Sequence, residues 1–225
     1  PQVFSVLELG PEDGSLVLDI LKASHQQDAA FHQALHYTAC EPGARKRETL
    51  ANRFAATGEP NLRVVAAPEE AKAERGIILG NEVLDALPVH LIRWSGGSWQ
   101  EMSVGLEDEK LAWTMSPCSD GPLSDHLTDR PVDRPAGYTT EVCLNLFPLI
   151  EELAATFEDA VVLLVDYGFE RSEYYHPDRC EGTLQTYARH QVGKDPLEAP
   201  GECDLSTHLD FTHVGEAAQA AGLTS

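Results

Sequence analysis

The 225 residues carry 37 acidic against 16 basic side chains, a formal charge of −21 that repels phosphate backbones and anionic lipid and argues against a nucleic-acid partner. Hydrophobic residues make up 42% of the chain, which is ordinary for one sizeable core. No run approaches the ~18 to 20 apolar residues of a membrane span, so no membrane insertion is expected, and the first residues do not read as a signal peptide.

Residues 3–10, "VFSVLELG", form a nearly continuous apolar run ending in glycine, which predicts a strand covered on both faces. From Ser15 onward Leu16, Val17, Ile20 and Leu21 recur at helical spacing, with Ser15 as the expected cap. A second strand is predicted over 35–40 and a polar helix over 44–55, with Leu50 and Phe54 on its inner face. Residues 62–67 and 76–82 read as further buried strands. This alternation predicts an α/β domain built on a parallel sheet.

The rhythm breaks after Pro88. Two strand-like runs flank Ser95-Gly96-Gly97-Ser98, a hairpin signal, and 110–115 adds a third strand. Residues 89–116 therefore read as an antiparallel insertion or lid, and 117–136, rich in Pro, Asp and Ser, as a polar surface loop. A helix is predicted over 140–157, opened by Thr140-Glu141, then a strand over 160–168 and a polar tract with a strand at 182–188. The expected division is 1–88 as the cofactor-binding half, 89–136 as insertion and loop, and 137–225 as the second half with a substrate-side segment. The apolar start and the final "EAAQAAGLTS" also suggest a stretch taken from the middle of a longer protein.

In an open parallel sheet, ligands gather at the carboxyl ends of the strands, near a reversal in strand order. The polar residues at those ends are Gly10 to Gly14, Glu41, Asn81-Glu82 with Asp85, and Asp166-Tyr167. Glu41 follows the glycine turn by one strand-helix-strand unit, where an acid commonly accepts both hydroxyls of a ribose; a solvated acid at a strand end is the bland alternative. Asn81, Glu82 and Asp85 behind an apolar strand need partners, which either a ligand or helix capping could supply. The five cysteines are odd in number and lack a Cys-x-x-Cys pair, which favours a reducing compartment. His176, Cys180, His190, Cys203, His208 and His213 share one polar stretch, but their spacings match no familiar zinc pattern and no metal is expected.

"LELGPEDGSL", "CEPGARKRETL", "NEVLDALPVH", "LLVDYG", "GTLQTYARHQ" and "DPLEAPGECDLSTHLDFT" together resemble the MidA family of S-adenosylmethionine-dependent methyltransferases, relatives of the mitochondrial complex I assembly factor. The resemblance implies a Rossmann-like class I methyltransferase sheet of seven strands, incomplete at both ends here. It implies S-adenosylmethionine as cofactor and protein arginine methylation as activity, with a subunit of the NADH dehydrogenase complex as the target in mitochondrial members. Location would be the cytoplasm of a bacterium or the mitochondrial matrix of a eukaryote. Carried over by position, Glu8, Gly10 and Gly14 belong to the cofactor turn and Glu41 binds the ribose. Asn81 and Glu82 flank the reaction centre, Asp85 supports them, and Asp166-Tyr167-Gly168 closes the rim. Asp204, His208 and Asp210 lie on the substrate side. Glu82, Asp85, Asp204 and His208 are the catalytic candidates, with carboxylates to hold a planar guanidinium.

The family pattern at the turn is Gly-x-Gly-x-Gly, whereas this chain reads Gly10-Pro11-Glu12-Asp13-Gly14. A Cβ at Glu12 can clash with a ligand or forbid the backbone angle, so weakened cofactor binding is expected. The rival reading is therefore a binding or assembly protein that kept the fold while the turn decayed. A nucleotide-dependent oxidoreductase is a third reading, opposed by the missing dinucleotide glycine pattern.

Overall fold

The structure is a computed structural model that describes residues 2–118, 120–128, 134–188, 191–193, 195–198 and 200–224. Its strands are β1 (Phe4–Leu9), β2 (Leu35–Cys40), β3 (Leu62–Val65), β4 (Ala73–Asn81), β5 (His90–Trp94), β6 (Trp99–Glu107), β7 (Lys110–Pro117), β8 (Thr139–Val142), β9 (Phe157–Val165), β10 (Gly168–Phe169), β11 (Gln185–Ala188), β12 (Gln191–Gly193), β13 (Asp204–Ser206) and β14 (Leu209–Asp210). The helices are α1 (Ser15–Gln27), α2 (Ala29–Ala34), α3 (Ala44–Ala55), α4 (Pro122–Thr128), α5 (Leu146–Thr156), α6 (Arg171–Tyr174) and α7 (Phe211–Ala220). Contacts divide the chain into two compact units, residues 1–83 with 149–166 and 220–225, and residues 84–148 with 167–219.

The first unit holds a five-stranded, fully parallel sheet in the order β3-β2-β1-β4-β9. The order runs outward from β1 in one direction and then resumes on its other side with β4, so the reversal falls between β1 and β4. The resemblance implies seven strands and this sheet holds five; the remaining strands among the described residues pair in three other sheets. Val6, Tyr37 and Ala39 on one face of the sheet meet Val17 and Leu21 of α1 and Leu50 and Phe54 of α3 in one buried cluster. The 3.6-residue spacing of those helical side chains turns them all toward the sheet.

Ser15 begins α1 but does not cap it. Gly14 occupies the cap position at φ 77°, and Asp13 Oδ1 accepts the Ser15 N–H at 2.9 Å. A Cβ on Gly14 would come within 2.7 Å of Phe54, so this turn packs directly on α3.

The second unit is mostly antiparallel. Its largest sheet runs β7-β6-β5-β8, with the expected hairpin between β5 and β6 closed by Ser95 and Ser98. Two expectations fail here. Residues 117–136 are not merely a polar loop, because α4 buries Leu123 and Leu127 against Ile92 and Val142. The helix predicted from residue 140 starts instead at Leu146, since Thr139–Val142 form β8 and pair with β5, His90 opposite Val142 and Ile92 opposite Thr140. Two adjacent threonines and a valine favour the pleated conformation over a helical first turn. No helix among the described residues is long and apolar enough to cross a membrane.

Candidate active site

The carboxyl ends of β1, β2, β4 and β9 carry the expected rim of the first unit. Gly10 follows β1 at φ 58°, and its N–H donates to the Cys40 carbonyl across to β2 at 3.2 Å. A Cβ there would sit 3.3 Å from Val83, so a side chain at this left-handed position would crowd Val83 as well as strain the backbone. Glu41 follows β2 and is buried. Its Oε1 accepts the Gly43 N–H at 2.6 Å, its backbone N–H donates to Val65, and Arg47 donates to its carbonyl. These bonds fix the carboxylate in place at the strand end, which suits it to hold a polar ligand group without reorganising.

Glu8 lies inside the sheet. Tyr37 donates to its Oε2 at 2.9 Å, and burial pushes the Glu8 carboxyl upward despite that bond. Tyr37 is itself pushed far above the ordinary phenol range, by burial first and Glu8 second. The pair therefore ties β1 to β2 by a buried side-chain bond, one residue before the end of β1. Asn81 and Glu82, at the end of β4, are exposed, and Asp166 at the end of β9 is half-buried. Glu82 sits at φ 50°, with its N–H donating to Val165 at 2.8 Å. A non-glycine residue in the left-handed region costs on the order of 1 to 2 kcal/mol, and such strain is concentrated at functional sites.

Glu12 takes the same left-handed conformation, at φ 46°. The turn thus keeps a glycine-like backbone with glutamate in the glycine's place, so the backbone angle is strained rather than forbidden. Its side chain stays in solvent and pairs with Lys46 at 3.3 Å. Asp13 bonds Ser15 and Arg53, and the Ser15 bonds bring its carboxyl down to about 2.

The second unit gathers the other candidates. Asp85 is buried, and its Oδ2 accepts from Tyr167 Oη at 2.6 Å and Ser206 Oγ at 2.7 Å, while Tyr167 and Ser206 also bond each other. Burial, then the Asp85 carboxylate, raises the Tyr167 hydroxyl well above its usual range. The Asp85 carbonyl accepts the Thr207 N–H at 3.0 Å. Next in the chain, the His208 N–H donates to Thr183 Oγ1 at 3.1 Å, and Thr183 Oγ1 donates onward to Glu141 Oε2 at 3.1 Å. Hydrogen bonds therefore run from Asp85 through residues 206–208 to Glu141.

The His208 ring meets Tyr167 edge-on, with centroids 5.3 Å apart, and lies 5.1 Å from Phe169. Burial, then the Arg179 charge, lowers its pKa, which keeps the imidazole neutral. Its Nδ1 is buried and has no hydrogen-bond partner among the described residues. Asp204 opens β13 and is exposed, and Asp210 accepts from Arg171. Reasoning from sequence missed Thr183, Ser206 and above all Glu141, which it assigned to a helix end. The β-branched Thr139, Thr140 and Val142 around Glu141 were the available signal. His190 lies outside the described residues, and no group of three or more His, Cys, Asp and Glu among the described residues is placed to hold a metal.

Residues 1–225 match the model of the family described as "Putative S-adenosyl-L-methionine-dependent methyltransferase". The chain belongs to this family. Its fold is that of a COG1565 superfamily protein from Burkholderia thailandensis crystallised with S-adenosyl-homocysteine, at a TM-score of 0.81 and 32% identity over 98% of this chain and 56% of that one. A second crystal structure of a protein of that superfamily from the same organism gives a TM-score of 0.84 at 29% identity, with 98% of this chain and 58% of that chain covered. Among named relatives, the mitochondrial homolog of protein arginine methyltransferase NDUFAF7 from Drosophila melanogaster is 27% identical over 255 residues, 99% of this chain and 54% of that protein. The mitochondrial NDUFAF7 protein of Homo sapiens is 25% identical, over 96% of this chain and 52% of its own length. This chain spans about half the length of the curated relatives it matches.

Proposed function

We propose that this chain is the cofactor-binding and substrate-orienting part of a protein arginine methyltransferase of the MidA type, using S-adenosylmethionine. The observation that carries the reading is the convergence of Gly10, Glu41 and Asn81-Glu82 at the carboxyl ends of β1, β2 and β4, where the strand order reverses. A relative's crystal structure with S-adenosyl-homocysteine and relatives named as arginine methyltransferases support it. Bound cofactor supplies a sulfonium methyl as the electrophile.

Every other role belongs to the chain. The Gly10 and Gly14 turn lets backbone approach the ligand, and Glu41 accepts the ribose hydroxyls. Glu8, bonded to Tyr37, ties β1 to β2 just ahead of the turn, while Asn81 and Asp166 flank the methionine end. Glu82, exposed and held at φ 50°, offers a carboxylate to the guanidinium fork. Asp85 acts through its bonds to Tyr167, Ser206 and Thr207, holding the segment that carries His208. His208, neutral because of its burial, takes the proton that the guanidinium nitrogen must shed, and Asp204 draws the cationic substrate. The substrate is an arginine in a protein, with a subunit of the NADH dehydrogenase complex as the expected target.

The test is transfer of tritiated methyl from S-adenosylmethionine, by the full-length protein, to a purified NADH dehydrogenase subcomplex, with methylarginine read after acid hydrolysis. The expected result is labelled methylarginine that falls at least roughly 100-fold with Glu82→Gln, the scale of losing one charge-stabilising group. Label on lysine, on a carboxylate or on no residue contradicts the reading.

A further inference from the structure

Within the second unit, an open groove of about 720 Å³ runs beside the Asp85 network. Residues 85–91 form one wall. Pro88 and Val89 belong to that wall, and Met102 of β6, Trp113 of β7, Leu197 and Leu205 complete the apolar lining. Leu205 is 48% exposed and Leu111, also in the lining, 40% exposed. That much apolar surface in one concavity exceeds what scattered surface side chains need, and marks a binding surface.

The charge of the groove selects its occupant. Its lining includes the carboxylates of Asp85 and Glu101 and the imidazole of His90, whose Nδ1 lies 2.7 Å from Glu101 Oε1, and it includes no lysine or arginine among the described residues. An apolar trough whose lining holds Glu101 and the buried Asp85 but, among the described residues, no lysine or arginine, in a chain of net charge −21, attracts a cationic apolar segment and repels an acidic one. The geometry points to this groove as the specificity site for the substrate: it takes up a bulky apolar side chain of the peptide segment that bears the target arginine. This rests on the arginine-methyltransferase reading above and adds a sequence preference to it. Apolar contact in the groove selects the segment, and the excess of acids over bases in the lining favours its positive charge.

A panel of arginine peptides tests the inference, each with leucine or phenylalanine moved stepwise through five positions on either side of the arginine, against serine and aspartate controls. The full-length protein is assayed twice, by tritiated methyl incorporation and by the fluorescence of Trp113, with Trp113→Phe identifying that signal among those of the other tryptophans. The expected result is a KM at least tenfold lower for peptides with the apolar residue at one fixed offset than for the serine controls. Leu205→Asp, at an exposed position, raises that KM at least tenfold with little change in kcat and none in the S-adenosylmethionine Kd. Leu111→Asp repeats the experiment on an independent strand.

Methylation that is indifferent to the apolar residue, or untouched by both variants, overturns the groove while leaving the methyltransferase intact. Fluorescence binding of the apolar cationic peptides, lost with Leu205→Asp but accompanied by no methyl transfer to any peptide, upholds the groove and instead removes the reading on which it rests. Tighter binding of the aspartate controls than of the leucine peptides overturns it as well.

Discussion

Glu141 is the residue whose replacement tests the second unit most sharply. It is 3% exposed, and its two carboxylate oxygens receive four donors: the N–H groups of Thr183 and Leu184 on Oε1 at 2.7 and 2.9 Å, and the hydroxyls of Thr183 and Tyr174 on Oε2 at 3.1 and 3.2 Å. Glu141→Ala strands two backbone donors at roughly 1 to 3 kcal/mol each, so a loss of about 3 to 5 kcal/mol is expected. At roughly 2 to 4 °C per kcal/mol for a protein of this size, Tm falls by about 10 °C.

Glu141→Gln behaves differently because the bonding pattern admits an amide. Oε1 still accepts both N–H groups, while the amide nitrogen donates to the two hydroxyls, which turn to accept. The variant should stay within about 1 kcal/mol of the parent near neutral pH. Burial raises the Glu141 pKa from 4.5, against the pull of its hydrogen bonds. A carboxyl whose folded pKa is raised contributes stability that is complete below its unfolded pKa and is lost as pH rises through the folded value. Glutamine has no such loss, so the Gln variant gains on the parent as pH climbs from 4.5. Thermal melts of parent, Ala and Gln forms from pH 4.5 to 8 measure all three effects. A Gln form that melts as low as the Ala form, or a parent-to-Gln gap that is flat with pH, refutes the reasoning. The Thr183 link to the His208 backbone adds a kinetic consequence, with methyl transfer impaired in the Ala form below its Tm and kept in the Gln form.

Glu12→Gly should relieve the left-handed strain at φ 46° for the small loss of an exposed Lys46 pair, raising Tm by roughly 1 to 3 °C, with S-adenosylmethionine affinity unchanged or better. A lower Tm measured by differential scanning calorimetry would mean that the turn depends on the glutamate. Asp85→Ala should cost about 1 to 3 kcal/mol and lower kcat at least tenfold while leaving the cofactor Kd in place, since the side chain acts through Tyr167 and Ser206. Single-turnover rates beside a cofactor titration separate the two, and an equal loss in both would contradict a positioning role.

The parallel sheet was legible because its strands are short apolar runs bounded by Gly10, Glu41 and Glu82, and because helical spacing at Leu50 and Phe54 leaves one burial solution. The rim was legible for the same reason: once strand ends are known, the polar residues there must converge. Residues 139–142 were not, since Thr140 and Glu141 open a helix as plausibly as they fill an edge of a sheet, and only pairing with His90 and Ile92 decides between them. The role of Asp85 was half legible. Its density of polar neighbours signalled a need for partners, but those partners, Tyr167 and Ser206, lie 82 and 121 residues away in the chain. The left-handed backbone at Glu12 and Glu82 leaves no mark in composition or periodicity, because only tertiary constraint holds a non-glycine residue there.

The central claim is that Gly10, Glu41 and Asn81 frame an S-adenosylmethionine site despite Glu12, and calorimetric titration of the cofactor into the full-length protein tests it most directly. The account predicts binding near micromolar, about −8 kcal/mol, weakened at least tenfold by Glu41→Ala and not weakened by Glu12→Gly. Heat of binding that is absent from the parent and from Glu12→Gly alike, in protein that melts cooperatively, would contradict it.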